Sequence, residues 1–182
     1  MARPPAARDK VLTAFATIVV EQGESAATME AVAAAAGVSK GGLLYHFGSR
    51  EALVDGLVER LLEDGEADAA TMRADPTHAV EHYLASSAQS PRELNALYVA
   101  ASRITQTGSE STRQALAHIE RLWLRCLIDA VGDEGLARLI ALVGDGLYLH
   151  AIRGEDAADR WRAVQPVITA LLQTDRASRA AD

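Results

Sequence analysis

The segment from Thr28 to Phe47, T-M-E-A-V-A-A-A-A-G-V-S-K-G-G-L-L-Y-H-F, constrains the fold more than any other part of the chain. It opens with a threonine, whose hydroxyl can cap a helix, followed by an alanine-rich amphipathic stretch. Gly37 permits the positive φ that a sharp turn requires, and Ser39 is a second capping residue. The pattern predicts a helix-turn-helix whose second helix presents a polar, cationic face to DNA.

The remainder of the chain also predicts helices. Apolar residues make up 49% of the sequence and aromatic residues only 4%, while alanine, the best helix former, is abundant. Apolar residues recur at helical spacing between glycine and proline breaks. Besides the two helices around Gly37, the predicted helices span about 6–22, 49–72, 77–89, 92–107, 112–131, 134–152 and 156–173. We therefore predict an all-α fold, in which Pro166 kinks the last helix or begins its second half.

Charge must be considered segment by segment. The chain carries a net charge of −7, but residues 1–50 hold five basic residues against four acidic ones, and 37–50 hold no acid at all. This local surface suits phosphate contact, although it is only weakly basic. No apolar run approaches the roughly 20 residues of a membrane helix, and the N-terminus lacks the apolar core of a secretory signal. A single cysteine, Cys126, excludes an intrachain disulfide, so a cytoplasmic protein is expected.

Two segments near the C-terminus, 134–152 and 156–173, are apolar on more than one side, which is typical of helices buried against two neighbours. We predict that they form the seam of a homodimer; the alternative is a core wholly within one chain. The residues expected at the seam are Leu136, Ile140, Val143, Leu147, Trp161, Val164, Ile168 and Leu171.

The stretch G-V-S-K-G-G-L-L-Y-H-F-G-S-R-E-A-L, residues 37–53, resembles the signature of the TetR family of transcriptional regulators. The likeness extends over about residues 8–60. It implies an N-terminal three-helix helix-turn-helix domain joined by a connecting helix to a C-terminal helical domain that binds an effector and dimerises. The implied division is 1–48 and 49–175, with a disordered tail at 176–182.

The resemblance also implies which residues touch DNA. The family's contact positions are occupied by Thr28, Ser39, Lys40, Gly41, Gly42, Tyr45, His46 and Arg50. Leu44 departs from the pattern, because many members carry tyrosine there; it could touch a thymine methyl or pack inside. The start of the next helix, at Ser49 and Arg50, is expected to seat a phosphate.

The function implied by the resemblance is that of a cytoplasmic homodimeric regulator, most simply a repressor. It would bind a near-palindromic double-stranded operator and leave it when an unknown small molecule binds. A ligand cavity could be lined by Met72, Tyr83, Tyr98, Trp123 and Cys126, which could equally be core. No enzymatic activity, cofactor or membrane partner is expected.

One pattern points to a different chemistry. His78, Glu81 and His82 match H-x-x-E-H, which places two histidines and a glutamate on one helix in zinc peptidases. Because no third ligand is evident, metal sensing and, less favoured, metal-dependent hydrolysis stand as alternatives. Cys126 is expected to be an inert buried thiol, with a redox sensor beside Arg125 as the alternative.

Overall fold

The computed structural model describes residues 7–89, 96–106 and 108–181, and within these ranges the chain forms helices and no strand. The helices are α1 (Ala7–Gln22), α2 (Met29–Ala36), α3 (Lys40–His46), α4 (Arg50–Ala74), α5 (Ala79–Ser87), α6 (Ala96–Gln106), α7 (Glu110–Val131), α8 (Glu134–Ile152) and α9 (Ala157–Ala181), with a 3-10 turn at Glu24–Ala26. The predicted all-α class is confirmed.

The chain packs as two compact units. The first comprises Met1–Glu66 and Asn95–Ile119, and the second comprises Ala67–Leu94 and Glu120–Asp182. Helices α4 and α7 each contribute residues to both units. Packing therefore groups the helix-turn-helix with the first part of α4, with α6 and with the start of α7, whereas the division implied by the resemblance ends the DNA-binding part at residue 48.

The core of the first unit is built on α1, which packs against α2 and α6. The apolar stripe of α1 is buried throughout, with Val11 and Phe15 fully enclosed. Leu53 and Leu57 of α4 are also fully buried. Because burying one such side chain contributes about 1.5–3 kcal/mol, these few residues account for much of what holds the unit together.

Two glycines let α4 approach its neighbours closely within this unit. A Cβ atom at Gly56 would lie 2.5 Å from the Phe47 ring, and one at Gly65 would lie 2.7 Å from Ile119. Real Cβ atoms do not approach other atoms so closely, so both positions require the absence of a side chain. Gly56 thereby allows the end of α3 to rest on α4.

In the second unit, α8 packs against α5 and α9. Gly144 lies against the Tyr83 ring with no room for a Cβ atom. Contrary to the expectation that no apolar run approaches the length of a membrane helix, α8 could cross a membrane by length and composition, since its 19 residues reach a mean hydropathy of 1.3. One side of the helix nevertheless packs within the unit, where Ile140 and Leu147 are buried. The helix also carries the exposed residues Leu139, Leu142 and Leu149.

The predicted helix limits differ from the observed ones mainly near the C-terminus. Helix α9 runs to Ala181, beyond the predicted end at 173 and through the tail expected to be disordered. Its last residues, rich in alanine and arginine, favour a helix on propensity alone. Pro166 lies inside the continuous helix. The predicted break at Ser90-Pro91 and the predicted helix start at 92 lie outside the described residues.

The close packing at Gly56 can be tested by stability measurements. We expect Gly56→Ala to lower the free energy of unfolding by about 1–2 kcal/mol, because overpacking costs about 1–3 kcal/mol and the gain in helix propensity is at most about 1 kcal/mol. Gly41→Ala is the control, since a Cβ atom there meets nothing within 4 Å. That variant should instead gain about 0.5–1 kcal/mol. Urea unfolding followed by circular dichroism measures both, and an equal gain in the two variants would contradict the packing described.

Candidate nucleic-acid interface

Local hydrogen bonds define the helix-turn-helix. The Thr28 hydroxyl accepts from the Ala31 amide at 3.2 Å and caps α2. Gly37 ends α2 in the left-handed region, with φ of 66°. The Ser39 hydroxyl then accepts from the Gly42 amide at 3.0 Å and caps α3. The turn and both caps are where the residue types predict them, because each depends on neighbours within three residues along the chain.

Helix α3 has one buried side and one exposed side. Leu43 is fully buried and Phe47, which follows the helix, is 3% exposed. The opposite side presents Tyr45, which is 85% exposed, and His46, whose ring meets the tyrosine ring edge-on at 5.1 Å. Two anchored apolar residues therefore hold a helix whose outer residues are available to a partner.

The position of Leu44 distinguishes between its two predicted roles. The side chain is 42% exposed and lies on the outer side of α3. It therefore does not pack inside, and a contact with a thymine methyl is the role that its position allows. Gly41, also exposed, leaves the backbone beside Lys40 uncovered.

The two cations of the acid-free stretch are both paired with carboxylates from the preceding segment. Lys40 Nζ lies 2.5 Å from Glu30 Oε1. Arg50 donates to the Glu24 carboxylate and to the Glu24 carbonyl, each at 2.9 Å. These carboxylates consequently neutralise the predicted cationic surface in the free protein. Both precede residue 37, so the charge of residues 37–50 alone does not include them.

The start of α4 is also occupied by an acid. The Ser49 hydroxyl accepts from the Ala52 amide at 3.2 Å. Hydrogen bonds from its own backbone and from Ser49 lower the pKa of Glu51. A phosphate approaching this helix end would meet the Glu51 carboxylate, so the predicted phosphate seat at Ser49 and Arg50 is largely satisfied from within the chain.

The residues expected to line a ligand cavity are distributed between the two units. Tyr98 belongs to the first unit, and Met72, Tyr83, Trp123 and Cys126 belong to the second. Of the latter, Met72 is 1% exposed, and the Tyr83 and Trp123 rings meet edge-on with centroids 6.0 Å apart. Burial raises the pKa of Tyr83, with further contributions from the charges of nearby carboxylates, Asp145 first.

Cys126 belongs to the core of the second unit. Its thiol lies 3.6 Å from the Ala69 carbonyl oxygen, and the Arg73 guanidinium lies 3.9 Å from the sulfur. Burial raises the pKa of Cys126, and this outweighs the opposing effect of Arg73. The group is therefore a thiol at neutral pH, which favours the inert reading over a redox sensor.

An open groove that the sequence did not indicate lies within the first unit. It has a volume of about 690 Å³ and is bordered by α4 and α7, with Val58 and Leu62 on one side and Ala115 and His118 on the other. None of the residues predicted for a ligand cavity borders it. His118 Nε2 lies 3.5 Å from Glu66 at its edge.

The predicted dimer seam is divided by burial. Ile140, Leu147, Trp161 and Ile168 are buried within the protomer, and they leave little surface for a partner. Leu136 and Val143 are half-buried, whereas Val164 and Leu171 are exposed. The exposed apolar residues of α8 and α9 are Leu139, Leu142, Leu149, Val164, Val167 and Leu171. We refer to these six residues as the exposed apolar face.

The histidine motif does not assemble a metal site. His78 precedes α5, and its Nδ1 lies 2.8 Å from Asp75. The hydrogen bond to Asp75 raises the pKa of His78. His82 Nε2 lies 2.7 Å from Asp68 instead. Across the part of the chain that the structure describes, no group of three or more His, Cys, Asp or Glu side chains is placed to hold a metal ion.

Known proteins resemble the N-terminal segment in sequence and the chain as a whole in fold. Residues 12–57 match the family described as bacterial regulatory proteins, tetR family. The HTH-type transcriptional repressor KstR2 of Rhodococcus jostii (strain RHA1) is 39% identical over 57 residues, which cover 31% of this chain and 28% of that repressor.

Among solved structures, the multidrug binding protein EbrR, in complex with malachite green, superposes with a TM-score of 0.67 at 22% identity, over 92% of this chain and 98% of EbrR. GusR of Salmonella enterica superposes with a TM-score of 0.62 at 22% identity, over 95% of this chain and 98% of GusR. At these identities the structural likeness concerns the fold.

Proposed function

We propose that this protein is a cytoplasmic transcriptional repressor of the TetR family, whose model its residues 12–57 match. It would bind a near-palindromic operator as a homodimer and be released by a small molecule. The observation that carries the proposal is α3. It is anchored by Leu43 and presents Tyr45 and His46 outward from a doubly capped helix-turn-helix. A helix of this kind fits the major groove, where donors and small residues read base edges.

Within this proposal the residues at the DNA have different roles. Tyr45, His46 and Leu44 face outward and suit contacts with bases or phosphates. Thr28 and Ser39 cap the two helices, and so they position the reading face in addition to any contact of their own. Gly41 and Gly42 let the backbone approach DNA, and Lys40 reaches a phosphate after leaving Glu30. Arg50 stays bound to Glu24 and lies beside the same surface.

The homodimer is proposed to form through the exposed apolar face. Val167 of α9 is 59% exposed and Leu142 of α8 is 67% exposed, and a patch of exposed apolar side chains, unlike a single one, marks an interaction site. A two-fold dimer would place its two reading helices about one DNA turn, roughly 34 Å, apart. That geometry explains why the operator should be near-palindromic.

The effector is proposed to act on the second unit. The aromatic pair of Tyr83 and Trp123 lies near carboxylates, and burial of the Asp145 carboxyl raises the pKa of that group. Aromatic rings near a carboxylate suit an aromatic cation. An effector that binds the DNA-incompetent state about 100-fold better would supply roughly 2.7 kcal/mol against operator binding.

Metal sensing and metal-dependent hydrolysis gain no support. His78 and His82 engage different aspartates, and the described residues hold no cluster that could bind zinc. A regulator without catalytic activity is the reading that agrees with the family.

DNA binding is tested with duplex DNA from upstream of the gene in a gel shift. We expect Tyr45→Phe to weaken operator binding about 3- to 10-fold, because the lost hydroxyl is worth about 0.5–1.5 kcal/mol per contact. An 85% exposed side chain contributes little to folding, so thermal unfolding and the sedimentation coefficient should not change. Unaltered binding by the variant would show that the hydroxyl is not a contact.

The dimer is tested by placing a charge on the exposed apolar face. We expect Val167→Glu to shift the protein toward monomer in analytical ultracentrifugation, because a carboxylate desolvated at an apolar seam destabilises association. Thr169→Glu is the control, since it adds the same charge two residues along the same exposed helix, on the opposite side. Equal dissociation by both variants, or an intact dimer in Val167→Glu, would place the seam elsewhere.

The effector site is tested with malachite green, the dye bound by EbrR, as the probe. We expect the dye to release the protein from operator DNA, and Asp145→Asn to weaken dye binding about tenfold, which corresponds to about 1.4 kcal/mol. Asp159→Asn, on an exposed residue paired with Arg162, is the charge-matched control. Dye binding that both variants leave unchanged would argue against the second unit as the site.

A further inference from the structure

The helix-turn-helix contains one acid and one base, and they are bound to each other. Between Thr28 and Phe47 the charged side chains are Glu30 and Lys40, histidine being taken as neutral. Glu30 lies in the first turn of α2, and Lys40 is the first residue of α3. The ion pair of 2.5 Å joins these two helices.

This ion pair is open to solvent, with side chains that are 61% and 65% exposed for Lys40 and Glu30. The hydrogen bond from Lys40 is the main cause that lowers the pKa of Glu30, so the carboxylate stays charged throughout the neutral range. An exposed pair of this type holds its partners weakly, and the lysine can exchange one anion for another. A DNA phosphate is such an anion.

The Arg50 pair differs in a way that excludes it from the same role. Arg50 donates both to the Glu24 carboxylate and to the Glu24 carbonyl, and the Glu24 side chain is only 22% exposed. This arginine therefore ties the 3-10 turn to the start of α4. Lys40 is the cation of the helix-turn-helix that can be released without disturbing the backbone.

We infer that Glu30 is an internal competitor for Lys40 that suppresses binding to non-operator DNA. The inference rests on the proposed function and assigns to Glu30 the role of limiting phosphate contact by Lys40. Non-specific binding is almost entirely a phosphate-contact effect, whereas an operator also offers base contacts to Tyr45, Leu44 and His46. Pairing Lys40 with the Glu30 carboxylate therefore weakens binding to non-operator DNA at least as much as it weakens binding to the operator.

The salt dependence of binding provides a specific readout. When Lys40 leaves Glu30 for a phosphate, the freed carboxylate gathers a cation, which offsets the counterion that the phosphate releases. Without the carboxylate that offset disappears. The logarithmic salt slope should then become steeper, by at most about 0.9 per protomer, the value for one full phosphate contact. A residue that only stabilised the fold would not change this slope.

The experiment measures binding of the full-length protein to operator DNA and to a scrambled duplex of equal length by fluorescence anisotropy at several salt concentrations. We expect Glu30→Gln to strengthen binding to the scrambled duplex about 2- to 10-fold, the range allowed by one exposed ion pair per protomer. The operator should gain no more than the scrambled duplex, so the specificity ratio stays level or falls. Glu110→Gln is the matched control, because it breaks an equally exposed pair with Arg113 and changes the net charge identically.

Repeating the measurement in a Lys40→Gln protein separates competition for Lys40 from simple repulsion between the Glu30 carboxylate and DNA. In a Lys40→Gln protein, the gain from Glu30→Gln should disappear if Glu30 acts through Lys40. The same gain in that background, an unchanged salt slope, or an equal gain in Glu110→Gln would overturn the inference while leaving the proposed function intact. A wild-type protein that does not distinguish operator from scrambled DNA would overturn both.

Discussion

The close packing of the Phe47 ring on Gly56 of α4 is the constraint that holds α3 in place, and with it the exposed side chains of Leu44 and Tyr45. Helix α3 has only seven residues, two of them glycine, and a helix this short does not hold itself together in water. It is held by the burial of Leu43 and Phe47. The Arg8 guanidinium lies over the Phe47 ring, with its carbon 5.5 Å from the ring centroid. Stability for α3 thus comes from α1, α2 and α4.

The residues that anchor α3 are therefore different from the residues that it exposes. Because the anchoring residues lie on one side, the outer side can carry glycines, a tyrosine and a histidine with little effect on the fold. The two glycines of α3 would otherwise cost about 1 kcal/mol each relative to alanine. A Cβ atom at Gly41 would meet nothing within 4 Å, whereas one at Gly42 would lie 3.2 Å from Ser39 Oγ.

At the same surface, ion pairing decides the net charge more than the residue composition does. Lys40 and Arg50 are each bound to an acid, and Glu51 occupies the helix end beside them. The free protein therefore presents little net positive charge at its reading face. Under the proposed function, recognition would depend on shape, on two copies acting together and on the exchange of Glu30 for phosphate.

Caps, the turn and the amphipathic stripe of α1 are predictable from sequence because each depends on residues within about one helical turn. The same reasoning could not divide the apolar residues of α8 and α9 between core and partner. In a helix that is apolar all round, the sequence does not indicate which side faces its own chain. The packing of α5 against α8 is what makes Ile140 buried and leaves Leu142 exposed. The histidines at 78 and 82 likewise share a helical spacing, yet their separate aspartates become visible only in three dimensions.

The sequence by itself therefore determined the all-α class, the helix-turn-helix with its two caps, and the family resemblance that runs through residues 37–53. Only the tertiary structure decided that Lys40 and Arg50 are paired, that Leu44 faces outward, and which apolar residues of α8 and α9 remain exposed. The physical reason is the separation along the chain between the residues that interact. Capping and turn formation are settled by neighbours along the chain, whereas ion pairing and burial depend on side chains that folding brings together from distant positions.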